Sequence, residues 1–101
     1  MTYNHLSKTT LREIVANLRS FDDEQSVFLD RSERLSPETH GAVVWYSEIG
    51  KEPPEVAGLK CFMDIWQIKD VLKGKASLLG LTAPTVEQQV EMLVSFAVKG
   101  A

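Results

Sequence analysis

The stretch "GLKCFMDIWQIKDVLKG", residues 58–74, changes period halfway along. Through Ile65 it alternates as a strand does. From Ile65 onward its apolar residues, Ile65, Ile68, Val71 and Leu72, recur at helical spacing. A strand over 59–65 therefore runs straight into a helix, with Asp64 as the N-cap. Gln67 stands three residues on, at the capping-box position, and Gly74 has the place of a C′ residue. The same stretch holds the single cysteine and one of two tryptophans, so its chemistry needs reading as well as its fold.

Outward from this point the chain divides cleanly. Residues 1–8, "MTYNHLSK", are polar and read as a flexible lead-in. "TTLREIVANLRSF" spaces Leu11, Ile14, Val15 and Leu18 as one helical stripe, with Thr10 and Glu13 as a capping box and Arg12 and Arg19 turned to water. "SVFLD", 26–30, and "AVVWYSE", 42–48, are rich in strand formers. The connection between them carries Pro37 and Gly41, and Pro53 and Pro54 exclude a central strand from the next loop. "KASLLGLTA" reads as a connection after Gly74. "PTVEQQVEMLVSFAVKG" reads as a last helix, capped by Thr85 and Gln88, with Val86, Val90, Leu93, Val94 and Ala97 buried and Met92 and Phe96 off that stripe. The expected fold is α+β: a three-stranded antiparallel meander with helices, in the order α-β-β-β-α-α, as one small globular domain over 1–101.

Parity assigns faces to the strands. Leu59, Cys61, Met63 and Ile65 fall on one side and Lys60, Phe62 and Asp64 on the other; Phe28 opposes Val27 and Leu29. Phe28 and Phe62, with Trp45 or Tyr46, would then form an aromatic patch on the second face. Either a helix covers that patch, or it is open to a partner or a second copy.

Composition excludes several function classes. The 44% hydrophobic and 25% charged fractions are those of a globular chain, and one of about 100 residues buries somewhat over about 60% of its unfolded surface. The net charge is −3 and the eleven Lys and Arg form no basic run, which argues against nucleic acid as a partner. No signal-like start and no 18-residue apolar run appear, so the expectation is a cytoplasmic protein with no membrane partner. Cys61 lies among Leu59, Phe62 and Met63, so it reads as a buried, inert thiol rather than a nucleophile. His5 and His40 have no partner at catalytic spacing, and no HxxxH, CxxC or DxDxDG pattern offers a metal site. Glu48, Glu52 and Glu55 are the acids nearest to an acid–base pair, with nothing to gather them into a cleft. A ligand pocket, if there is one, is expected near His40, Tyr46 or the proline loop. The reading is therefore no catalytic, cofactor-binding or metal-ligating residues and no cofactor.

"LREIVANL", "AVVWY" and above all "CFMDIWQIKDVLKG" resemble a family of small bacterial proteins of unknown function. Its pattern of aromatic, apolar, acidic and paired isoleucine positions matches Phe62, Ile65, Ile68, Asp70, Val71 and Leu72, and the resemblance spans roughly residues 9–74. It implies an early helix leading into strands, and carries no activity or catalytic residues. What remains is a protein-binding module, with a candidate interaction surface in the surplus aromatics Phe28, Trp45, Phe62 and Trp66 and the acids Asp22, Asp23 and Glu24. An immunity- or antitoxin-like role is one version. The alternatives are a self-associating structural or adaptor protein, or a small ligand-binding protein or enzyme.

Overall fold

The computed structural model describes residues 6–32, 34–45 and 58–99. Its elements are β1 (Leu6–Thr10), α1 (Leu11–Ala16), a 3-10 turn (Leu18–Ser20), β2 (Ser26–Leu29), β3 (His40–Val44), β4 (Lys60–Asp64), α2 (Ile65–Leu79) and α3 (Val86–Lys99). The α+β class is as expected, but the sheet is not a three-stranded meander. Four antiparallel strands lie in the order β1-β3-β2-β4.

Two differences produce that order. The segment read as a loose lead-in supplies β1 over Leu6–Thr10, with Thr9 opposite Gly41 and Thr10 opposite His40. Its polar, β-branched sequence gives no apolar alternation, so its strand state comes from pairing with β3. The last strand joins β2, not β3, with Ser26 opposite Asp64 and Val27 opposite Met63. Of the strand read over 42–48, residues 42–44 fall in β3, which starts two residues earlier at His40, and residues 46–48 lie outside the described ones.

The parity of β4 also changes. Val27 pairs with Met63 but Phe28 pairs with Cys61, so the register slips by one residue at Phe62. That bulge puts Cys61 and Met63 on opposite faces, where plain alternation put them together. Phe62 instead packs against the helix-side core. Cys61 is exposed on an edge strand, not buried among apolar neighbours.

The core lies between the sheet and the three helices. Val27, Leu29 and Val43 meet Leu11, Ile14, Ile65, Ile68, Leu72, Val90 and Leu93. Met92 belongs to this core at 6% exposure, although it stands off the stripe read from the sequence. On the other face Phe28, Ala42 and Val44 form a second buried cluster, with Leu59 against it.

The helix starts follow the sequence closely. Glu13 N–H donates to Thr10 Oγ1, and Thr10 N–H to Glu13 Oε1, each at 3.3 Å. Asp64 N–H donates to Gln67 Oε1 at 2.9 Å. Thr85 and Gln88 exchange bonds at 2.8 and 3.1 Å. The end of α2 does not follow. The helix runs through Gly74 and stops at Gly80, whose φ of 72° is left-handed. Lys75–Leu79, read as a connection, are good helix formers and carry the helix one and a half turns further.

These glycines should respond oppositely to alanine. At Gly74 a Cβ would meet nothing within 4 Å, so Gly74→Ala should stabilise by about 0.5–1 kcal/mol. Gly80→Ala forces a left-handed alanine and should cost about 1 kcal/mol. Thermal melts of the two variants check the signs, and a shared sign would contradict the assigned end of α2.

Candidate functional site

The outward face of α2 is built by its own spacing. Trp66, Lys69, Lys73 and Ser77 follow one another at intervals of three or four residues and share one side of the helix, away from Ile65, Ile68 and Leu72. Trp66 is 49% exposed, a large apolar side chain left out of the core. Starting one turn beyond it, an open groove of about 1070 Å³ runs between α2, residues 15–20 and residues 81–89.

The groove has an apolar floor and a basic rim. Val15 and Leu72 are buried in it; Leu18, Leu81 and Val86 are half-buried and pack onto the core beneath. Arg19, Lys69 and Lys73 line it, and no carboxylate does among the described lining residues. Lys69 Nζ donates to Asp23 Oδ1 at 2.6 Å, which leaves Arg19 and Lys73, both exposed, as the rim charges with no carboxylate paired to them in the described residues. A chain with net charge −3 thus carries a locally positive groove.

The acidic loop has a structural duty. Gln25 C=O accepts from Ile65 N–H at 2.8 Å, and Asp23 C=O from Trp66 N–H at 3.2 Å. These are first-turn amides that have no partner within a helix. The loop is held in shape by Asp22 Oδ1, which accepts from Glu24 N–H at 2.9 Å, and by the buried Gln25, whose Oε1 accepts from Asp22 N–H at 2.8 Å. Helix α1 uses the same device: Leu11 and Arg12 donate to the carbonyls of Thr39 and Pro37 at 2.9 Å each.

The residues singled out in the sequence are brought together in part. Asp22, Asp23 and Glu24 are exposed and sit against the start of α2, beside Trp66. Trp45 is 39% exposed and follows Val44, whose partner Ser26 also pairs with Asp64. Trp45, the acidic loop and Trp66 therefore occupy one end of the sheet. The aromatic patch is not assembled. Phe28 is 1% exposed, in the second cluster, and Phe62 packs on the helix side. Tyr46 and the proline loop, with Glu48, Glu52 and Glu55, lie outside the described residues, as does His5. His40 is exposed at the start of β3 and does not line the groove.

Sequence reading missed Arg19, Lys69, Lys73 and Leu81. Their one local signal was the three- and four-residue spacing of Trp66, Lys69 and Lys73. Arg12 does turn outward, and at the surface its guanidinium also holds Glu87 of α3 at 2.7 and 3.3 Å and pairs with Glu38. Those bonds, first to Glu87 and then to Glu38, raise its pKa above the ordinary arginine value. The side-chain and backbone hydrogen bonds from Ser32, chiefly, hold the Asp30 carboxyl below its usual range. Neither group lines the groove.

The site belongs to a class defined by geometry: an α+β domain presenting a helix face with an exposed tryptophan and an apolar, basic-rimmed groove. Among the described residues no cluster of His, Cys, Asp or Glu is arranged to hold a metal ion, and no helix is long and apolar enough to cross a membrane. Comparison with protein-family models, with curated proteins and with solved structures finds no match to this chain.

Proposed function

We propose that this chain is a non-catalytic protein-binding module whose contact surface is the outer face of α2, from Trp66 along the groove. The observation that carries this reading is Trp66. It is half exposed on a regular helix, its backbone amide is met by the Asp23 carbonyl, and it stands one turn before the α2 residues that line the groove. Tryptophan is among the residues most enriched at the energetic anchors of protein interfaces. The groove is open along its length, which suits a chain segment laid into it better than an enclosed small molecule.

The test is quantitative capture from an extract of the native host by the tagged full chain, beside Trp66→Ala and Ser77→Trp. A single partner should be retained in stoichiometric amount by the wild type. Loss of an anchor costs on the order of 2 kcal/mol or more, so Trp66→Ala should reduce retention by about thirtyfold. Ser77→Trp, which fills the groove from an exposed position, should do the same. Equal retention by all three chains would sink the reading. An immunity- or antitoxin-like role is one form of this function, and it adds that the captured partner be toxic when expressed alone.

A second reading, self-association, is favoured by one observation. Leu78 and Leu79 are 85% and 62% exposed at the end of α2. Light scattering decides it: a strict monomer at high concentration rules it out.

A further inference from the structure

We infer that the groove takes an acidic amphipathic helix of a partner protein, with leucine-like side chains on the floor and carboxylates against Arg19 and Lys73. The inference rests on the groove being a binding surface, as proposed above, and adds the chemistry of what binds.

Charge complementarity selects the occupant. The groove's described lining holds three cations and no carboxylate, in a chain that is acidic as a whole. Of the acids adjoining these residues, Asp23 is held by the rim cation Lys69 and Glu87 by Arg12, and Asp70, next to Lys69, does not line the groove. Arg19 and Lys73 stand on opposite walls, one on the 3-10 turn and one on α2. Between them lie the buried Leu72 and the half-buried Leu18 and Leu81. An apolar strip flanked on both sides by positive charge is the complement of a helix with one apolar face bordered by Glu or Asp. Two of the lining segments, α2 and residues 15–20, are largely helical, so a further helix can lie against them as it would in a helical layer. A basic helix would bring like charges together at both walls, and that juxtaposition is what gives selectivity.

Lys69 offers a further, sharper consequence. Its ammonium is occupied by Asp23, so Asp23→Asn should release a third cation to the same ligand.

The probes are fluorescein-labelled helical peptides of about three turns, with leucine at i, i+3, i+4 and i+7. The remaining positions are Glu in one peptide, Gln in the second and Lys in the third. Fluorescence anisotropy against the full chain reads their affinities. The Glu peptide should bind best and the Lys peptide worst, with about a tenfold spread at low ionic strength that narrows in high salt. Arg19→Glu with Lys73→Glu should reverse the order, and Asp23→Asn should tighten the Glu peptide by about threefold. Arg19 and Lys73 are exposed, so the fold should survive; an unchanged circular dichroism melt checks this. Equal binding of the three peptides, blocked by Ser77→Trp, would overturn the charge inference while leaving the groove a binding surface. No binding of the Glu peptide at millimolar concentration would overturn it too. So would laurate binding, read by titration calorimetry and lost in Ser77→Trp, with no peptide binding, which would make the groove a site for small anionic amphiphiles.

Discussion

Replacing Ile68 with alanine should lower the stability of this protein by about 2–5 kcal/mol, the largest single effect expected in the chain. Ile68 is fully buried on the inner face of α2, with Ile65 and Leu72, against the sheet and the other helices. Truncation removes the transfer free energy of three carbons and leaves a cavity that a sheet and helices on several sides cannot close. At roughly 4–8 °C per kcal/mol for a domain of this size, the melting temperature should fall by at least about 8 °C. Urea unfolding should show a lower midpoint with an unchanged slope, because the surface exposed on unfolding is the same. A loss well under 1 kcal/mol would mean that the stripe at 65, 68 and 72 does not face the core. Leu72→Ala tests a neighbouring position that also lines the groove, so it should weaken both stability and any ligand held there.

The second large effect is expected at Gly41. In strand interiors alanine is ordinarily preferred to glycine by about 0.5–1 kcal/mol. Here a Cβ would lie 2.6 Å from Leu29 Cδ2 and 2.6 Å from the Phe28 carbonyl oxygen. Leu29 can change rotamer at some cost, but the carbonyl belongs to the central strand β2, and moving it means parting β2 from β3. Overpacking of this kind costs about 1–3 kcal/mol or more and outweighs the intrinsic preference. Gly41→Ala should therefore destabilise, and Gly41→Val should do so more strongly. Chemical denaturation of the alanine variant gives the sign; a variant as stable as wild type would show that the strands are further apart at this point. Position 41 reads in the sequence as turn punctuation between two strands. Its actual requirement is space inside the sheet.

The stability of the helix starts is local, and that is why it was readable. Thr10 with Glu13, Asp64 with Gln67, and Thr85 with Gln88 each act over three residues, so their meaning does not depend on the rest of the fold. The buried stripe of α2 is equally local, since Ile65, Ile68 and Leu72 share a face whatever they pack against. Gly74 carries the opposite lesson, because the same residue type has two uses. A glycine is tolerated inside a helix at about 1 kcal/mol, and only a backbone forced into the left-handed region, at Gly80, marks the end.

Strand identity was less legible. Leu6–Thr10 has no apolar alternation, and it becomes a strand because β3 offers it backbone partners. The Phe62 bulge could not be read at all, because one inserted residue reverses the faces on either side of it without altering the composition. The misplacement of Cys61 and Phe62 follows from the bulge; Phe28 lies opposite Val27 and Leu29, as alternation predicts.

The candidate site was half visible. Trp66 and the acids Asp22, Asp23 and Glu24 stood out as surplus to packing, but nothing in the sequence put them side by side. The groove was invisible, because its walls come from residues 15–20, 69–77 and 81–89 and its existence depends on how far apart those walls stand.

The sequence alone determined the α+β class, the helix starts, the inner face of α2 and the lack of any familiar catalytic or metal-binding pattern. These rest on hydrogen bonds and periodicities within a few residues. Only the tertiary structure decided that β4 lies beside β2, that Lys69 meets Asp23 across 46 residues, and that Arg12 meets Glu87 across 75. Such pairs form because packing of the shared core brings distant segments together, and no local pattern encodes that distance. The positively rimmed groove along the stretch 58–74 is a product of the same packing: α2 supplies one wall, and the rest of the fold sets the other in place.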